Sequence, residues 1–120
     1  EPGDREAALS LGDALSSVGK HREALQVYQR TNRASPNDAE LLMRSALIQL
    51  QQLDQTQPAI RAFRRIVELE PENAQAHYYL GYAYKDLGRT ADARQQLQSF
   101  LKKTDDKELA AEVNRDLEDL

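Results

Sequence analysis

Val18-Gly19-Lys20-His21-Arg22-Glu23-Ala24 and Leu87-Gly88-Arg89-Thr90-Ala91-Asp92-Ala93 are two versions of one heptapeptide, with an apolar residue first, glycine second and alanine last. They lie 69 residues apart, and Leu11-Gly12 and Leu80-Gly81 keep the same separation. The prolines supply the intermediate mark, because Pro36 and Pro71 are 35 apart and each is followed by Asn or Glu-Asn. A separation of 69 is therefore one period of 34 and one of 35, and the chain is built of internal repeats.

The composition states what each repeat is made of. Ala (16) and Leu (17) dominate the apolar residues, whereas Val (4) and Ile (3) are scarce. Ala and Leu lose little on entering a helix, and β-branched residues are the ones that favour strands. No stretch alternates apolar and polar residues between turn signals, so the expected class is all-α. At 120 residues the chain suits one domain that can fold without covalent staples. Cys is absent, which excludes disulfide scaffolds, thiolate metal sites and cysteine nucleophiles. Mean hydropathy is −0.74, and no apolar run approaches the roughly 18 residues that a membrane span needs. No membrane insertion is expected.

Each unit reads as two helices and a tight turn. Pro71 ends one helix and Asn73 caps the next, which continues through Ala76, Tyr79, Leu80, Ala83, Tyr84 and Leu87 at three- and four-residue spacing. Gly88 supplies the positive φ that stops it, Thr90 is the expected cap of the partner helix, and Ala93, Leu97, Phe100 and Leu101 form that helix's apolar face. Two such helices cannot bury both apolar faces alone, so successive pairs must stack.

This pattern resembles the tetratricopeptide repeat, which has a 34-residue period, a Leu-Gly pair, a following Tyr and an Ala-x3-Phe-type ending before Pro. Residues 5–38 carry Leu11, Gly12, Gly19, Ala24, Tyr28 and Pro36 at the family's spacing; residues 74–107 carry Leu80, Gly81, Tyr84, Gly88, Ala93 and Leu97, with Asp105 at the place of the closing Pro. Residues 39–73 keep Ala59, Phe63, Ile66 and Pro71, but Ser45-Ala46 replaces Leu-Gly, no glycine marks the turn, and one extra residue falls near Leu53 to Gln57. Pro58 then falls in the first turn of a helix, where its missing N–H costs nothing. An irregular turn is expected there. The resemblance implies a right-handed α-solenoid of three helix-turn-helix pairs.

The chain after the third unit differs. Asp105-Asp106-Lys107-Glu108 has the form of a capping box with Asp105 as cap, and Leu109, Val113, Leu117 and Leu120 share one face of the helix that follows. Residues 108–120 are read as a capping helix that covers the end of the stack; they carry one cation against five carboxylates, which equals the whole chain's net −4. Residues 1–4 are read as a leader with no targeting segment, and the uncovered front raises the expectation of further repeats upstream. The compartment, cytoplasm or periplasm, is left open.

Little in the sequence points to catalysis. There is no His/Glu ligand spacing, no phosphate-binding glycine loop and no nucleophile elbow. Ser10, Ser16 and Ser17 have no base at helical spacing, His21 reads as a solvated turn residue, and His77, where the family usually has Trp, reads as a packing residue. No cofactor, metal or enzymatic activity is expected. Arg61, Arg64 and Arg65 share a helix face but lack the interleaved aromatics of a nucleic-acid surface.

The resemblance implies instead a concave groove lined by the first helix of each pair, which binds a protein or peptide segment. Carried onto this chain, its partner-facing residues include Leu9 and Asp13 in the first unit, Met43, Arg44, Leu47 and Leu50 in the second, and Tyr78, Tyr79, Tyr82 and Lys85 in the third. Tyr82 is the tyrosine least explained by packing, and tyrosines are enriched in binding hot spots. The family's clamp for the C-terminal carboxylate of heat-shock chaperones needs Lys, Asn and Arg where this chain has Leu9, Asp13, Arg44, Gln75 and Tyr79. Only Arg44 suits a carboxylate, and Asp13 repels one. The expected occupant is an apolar or amphipathic segment, and the module that of a scaffold or adaptor. Self-assembly through the groove or the uncovered N-terminal face is the competing reading, and an accessory role in an enzyme or nucleic-acid complex the third.

Overall fold

The computed structural model describes residues 4–120, so the leader expected at 1–4 lies, for its first three residues, outside the described residues. Seven helices follow one another: α1 (Arg5–Ser17), α2 (His21–Ala34), α3 (Ala39–Gln51), α4 (Thr56–Leu69), α5 (Ala74–Asp86), α6 (Thr90–Lys103) and α7 (Lys107–Glu118). The described residues contain no strand, and the class is all-α as expected. No helix among them is long and apolar enough to cross a membrane. Extents of 48 × 25 × 23 Å give the elongated body of a stack rather than a sphere.

The helix starts fall into two kinds. Asp4, Asp38, Asn73 and Asp106 each accept a hydrogen bond from a backbone N–H of the following first turn, and so cap α1, α3, α5 and α7. The helices that follow tight turns, α2, α4 and α6, begin after Lys20, Gln55 and Arg89 with no side-chain cap. Two expectations need correction here. Thr90 is the first residue of α6 rather than its cap, because the three-residue turn leaves Arg89 in the capping position. The cap of α7 is Asp106, not Asp105: its side chain reaches the Leu109 N–H at 2.9 Å.

Gly19 and Gly88 take the positive φ of their turns (85° and 76°). In the second unit the connection is one residue longer, and Asp54 adopts φ 54° in place of a glycine. Aspartate tolerates this region better than most residues, because its short polar side chain bonds locally. The sequence irregularity at Leu53–Gln57 is therefore a real change of turn.

Within a pair, the two helices nearly touch. A Cβ built on Gly12 would stand 2.3 Å from the Tyr28 ring, and one on Gly81 would stand 2.6 Å from the Leu97 side chain. In the second unit, Ala46 and Phe63 occupy the equivalent positions and share one core cluster. That cluster also holds Ile60, Ile66, Ala76, Leu80 and Ala83, so it bridges the second and third units. Leu87, placed by its spacing on the buried face, is exposed just past the end of α5. Around α7, Val113 is fully buried and Leu109, Leu117 and Leu120 pack half-buried against Leu97 and Phe100.

Gly81→Ala is expected to destabilise the chain by about 1–3 kcal/mol, since the Leu97 side chain and backbone must move to admit a methyl group. Urea unfolding followed by circular dichroism reads this as a lower midpoint with an unchanged slope.

Candidate functional site

Three depressions lie in series along the first helices of the units. The first, about 440 Å³, has Asp13, Ser16, Arg44, Leu47 and Gln51 in its walls. The second, about 420 Å³, is formed by Glu40, Met43, Arg44 and Leu47 of α3 with Glu70, Asn73 and Gln75. The third, about 400 Å³, lies between Gln75, Tyr78 and Tyr79 of α5 and Phe100 and Leu109. Arg44 and Leu47 belong to the first two and Gln75 to the last two, so the row is continuous. Charged pairs sit at its α1 end and aromatic rings at its α7 end.

The polar end is internally satisfied. The Tyr28 hydroxyl donates to Asp13, Arg44 donates to Asp13 and, at 3.0 Å, to Glu40, and Arg5 donates to Glu40 and, at 2.6 Å, to Asp38. Partial burial works against ionisation of Asp13 and Asp38, and their hydrogen bonds outweigh it, so both carboxyls sit below the usual range. The Arg44 and Arg5 hydrogen bonds lower Glu40 likewise, while Arg5 and Arg44 themselves are raised. Burial, and then the bond to Asp13, pushes Tyr28 up to about 12.

The aromatic end is a cluster. Tyr79 stacks on Phe63 with ring centroids 5.7 Å apart, and Tyr78 packs against Tyr79, Tyr82 and Phe100. Tyr82 donates its hydroxyl to Asp116 of α7. Burial, and then that bond, raise Tyr82; burial also raises Tyr78. The exposed Lys85 lies 5.7 Å from the Tyr82 ring centre.

These placements show how the expected partner-facing residues are engaged within the chain. Leu9 is buried in the core cluster of α1, α2 and α3 and has no face to offer. Asp13 and Arg44 pair with each other, and Tyr78 and Tyr82 are engaged by neighbouring aromatics and α7. Positions 9, 43 and 78 are equivalent in the three units, as are 13, 47 and 82, and at those places Leu9, Asp13 and Tyr82 each meet a neighbouring helix. Met43, Leu47, Leu50 and Tyr79 remain half-buried beside the central core, and Gln75 is exposed above them.

His77 packs, as expected. Its Nε2 is 2.8 Å from the Pro71 carbonyl and its Nδ1 is 2.8 Å from the Gln96 amide. His21 differs from expectation: it is half-buried, and its Nδ1 lies 3.1 Å from Ser16 Oγ, a base the helical spacing did not reveal because it comes from the next helix. Among the described residues no carboxylate bonds the other ring nitrogen, so the pair has the contact of a nucleophile and base without the third member. Among the described residues, no three His, Asp or Glu side chains converge on a metal-sized site. Arg61 and Arg64 are exposed on α4, while Arg65 bonds Asn37 at 2.5 Å and pairs with Glu68 at 3.5 Å.

Comparison with known proteins gives a consistent picture. The sequence profile of the tetratricopeptide repeat matches residues 9–56 and 52–108. The probable UDP-N-acetylglucosamine–peptide N-acetylglucosaminyltransferase SPINDLY of Petunia hybrida is 30% identical over 95 residues, which are 79% of this chain and 10% of that protein. The chain thus spans about a tenth of the length of that curated relative. Among solved structures, the Yersinia enterocolitica type III secretion chaperone SycD, in complex with a peptide of the translocator YopD, superposes with a TM-score of 0.85. It is 20% identical and covers 94% of this chain and 88% of its own. The second tetratricopeptide domain of Spaghetti (RPAP3), bound to an HSP90 peptide, has a TM-score of 0.76 at 21% identity, with 82% of this chain and 90% of its own covered.

A carboxyl held low in the folded state contributes stability above its unfolded value, and that contribution is lost as pH falls through the folded value. The polar joint of Asp13, Asp38 and Glu40 should therefore be complete above about pH 5 and weaken towards about pH 3. Urea midpoints are expected to fall over that window, and Asp13→Asn should both lower the neutral midpoint and flatten the fall. An unchanged pH dependence in the variant would remove Asp13 from the joint's titration.

Proposed function

Because the chain belongs to the tetratricopeptide-repeat family, we propose that it is a non-catalytic protein-interaction module that receives one segment of a partner protein along the first helices of its units. The continuous row of depressions from Asp13 to Leu109 is the observation that carries this reading. Rigid stacked pairs hold the row in shape before binding, so little receptor entropy is lost on association. The peptide complexes of the structurally similar secretion chaperone and of the Spaghetti domain support a peptide-sized occupant.

The occupant's chemistry follows from which groups remain available. Met43, Leu47 and Tyr79 offer half-buried apolar surface at the centre, and Gln75 and Asn73 bring amides to its rim. Methionine adapts to irregular contacts, and tyrosine gives stiff area with a polar tip. A terminal carboxylate is a poor occupant, because Arg44 already meets two carboxylates. We read the partner as an amphipathic segment with its apolar residues over α3 and α5, and the chain's role as that of a scaffold or adaptor without a cofactor.

Display of random peptides with free and blocked C-termini tests this. The expected winners share two or three apolar residues, bind equally well with a blocked terminus, and lose at least about tenfold in affinity on Leu47→Asp. Selection of peptides that need a free acidic C-terminus, or affinity indifferent to Leu47→Asp, would overturn the reading.

A further inference from the structure

The outer sides of the second helices carry a cationic face that the row of depressions does not use. With Ala24, Ala59 and Ala93 in register, positions 26, 29, 30 and 33 of α2 match 61, 64, 65 and 68 of α4 and 95, 98, 99 and 102 of α6. On each helix these positions form one stripe, turned away from the buried Tyr28, Phe63 and Leu97. The stripes hold Arg30, Arg33, Arg61, Arg64, Arg65 and Lys102 against the single carboxylate of Glu68, and every other position is Gln or Ser. The face is thus strongly positive in a chain whose net charge is −4.

Most of this charge has no partner. Arg65 bonds Asn37, in the connection that follows α2, and pairs with Glu68 at 3.5 Å. The bond to Asn37 ties α4 to the end of α2, so the stripes of the two units adjoin. Arg30, Arg33, Arg61, Arg64 and Lys102 are exposed and make no ion pair among the described residues. Arg5 and Arg44 of the first helices, by contrast, are each met by carboxylates.

Matching charge stands on α7. Glu108, Glu112 and Asp119 fall on one exposed side of it, with Arg115 between them and Asp105 just ahead. None of these four carboxylates pairs with a cation among the described residues. Val113 and Leu109 hold the other side of α7 against Leu97 and Phe100 of α6. The acidic side therefore points outward, where only another molecule can meet it. Nucleic acid and lipid suit the cationic face less well. Among the described residues the exposed large apolar side chains are Leu11, Val18 and Leu87, all outside α2, α4 and α6. The face thus has neither rings on which bases stack nor a wedge that enters a membrane.

We propose that the face of Arg30, Arg33, Arg61 and Arg64 receives the acidic side of α7 from a second copy of the chain. The two surfaces differ, so the contact is heterologous and leaves each pair with one free face and one free end. Guanidinium groups suit it, because their planar forks meet carboxylates with two parallel bonds. Single exposed pairs are weak, so the contact needs several acting together and shows at high protein concentration. The row of depressions stays open throughout.

Sedimentation velocity of the full chain over a concentration series tests this. The average mass is expected to rise with concentration at about 0.01 M salt and to fall back at about 0.15 M, as the screening length drops from ~30 to ~8 Å. Two variants separate the surfaces: Arg33→Gln, Arg61→Gln and Arg64→Gln on the face, and Glu112→Gln with Asp119→Asn on α7. All five side chains are exposed, so both variants should fold, which circular dichroism checks. Each alone is expected to associate at least about tenfold more weakly than the unaltered chain. Their equal mixture should recover the original affinity but stop at a dimer, since each supplies the surface that the other lacks. A chain that is monomeric at low salt, whether or not a foreign polyanion binds its face, overturns the proposal. So does an association that salt or either variant leaves unchanged, or a mixture no better than its components. Leu47→Asp, which alters the groove, should leave the association intact; its loss there would seat the second copy in the groove and overturn the proposal as well.

Discussion

The two helices of each unit approach so closely that one of them has almost no side chain at the crossing. Gly12 faces the Tyr28 ring, Gly81 faces Leu97, and Ala46 stands at the same place beside Phe63. At this crossing any larger residue would drive the helices apart, and a packed interior does not absorb such a shift cheaply. With the pair held flush, the apolar residues that remain point outward along both sides. They can be buried only by the next pair. The period of the sequence, the elongated shape and the alignment of the first helices into one row all follow from that crossing.

Joints between units are made by two kinds of chemistry, and magnitudes decide which drives the stack. Fully burying a side chain such as Phe63 or Leu80 contributes about 1.5–3 kcal/mol. An exposed ion pair such as Arg44–Asp13 contributes roughly 0–1 kcal/mol. Apolar burial therefore holds the units together, and the polar contacts set how they sit. The same seam position illustrates the division: Asp13 bonds Arg44 in the first unit, Leu47 packs in the second, and Tyr82 bonds Asp116 in the third. The helix α7 enters this scheme as a first helix would, with an acidic cap at Asp106 and its apolar face against α6.

Periodicity made the helices and their order legible, because glycine, proline and apolar positions recur at fixed offsets and each has a local physical cause. The altered turn of the second unit was legible for the same reason: the extra residue left the chain without a glycine, and Asp54 had to take its conformation. Single caps were less so. Asp105 and Asp106 differ by one place, and the residue that reaches the open N–H is decided by the path of the preceding turn. The groove was legible as a row of helices but not as a set of free side chains. A list of outward positions on one helix cannot show that Leu9 is covered by α2 and α3, or that Tyr82 has found Asp116. The His21–Ser16 contact was hidden likewise, since it joins two helices across a turn.

The chain's net charge of −4 is a weak guide to what it binds, and the pairing of charges is a better one. On the side that carries the row of depressions, Arg5 and Arg44 are each met by carboxylates, and Asp13, Asp38 and Glu40 are met by them in return. These two cations and three carboxylates leave one net negative charge, which salt screens within about 10 Å. Arg61 and Arg64, which make no ion pair among the described residues, stand on α4, a second helix of its pair, away from that row. On the reading proposed above, discrimination among segments falls to shape, to the apolar centre at Met43, Leu47 and Tyr79, and to the amides at its rim more than to steering by charge.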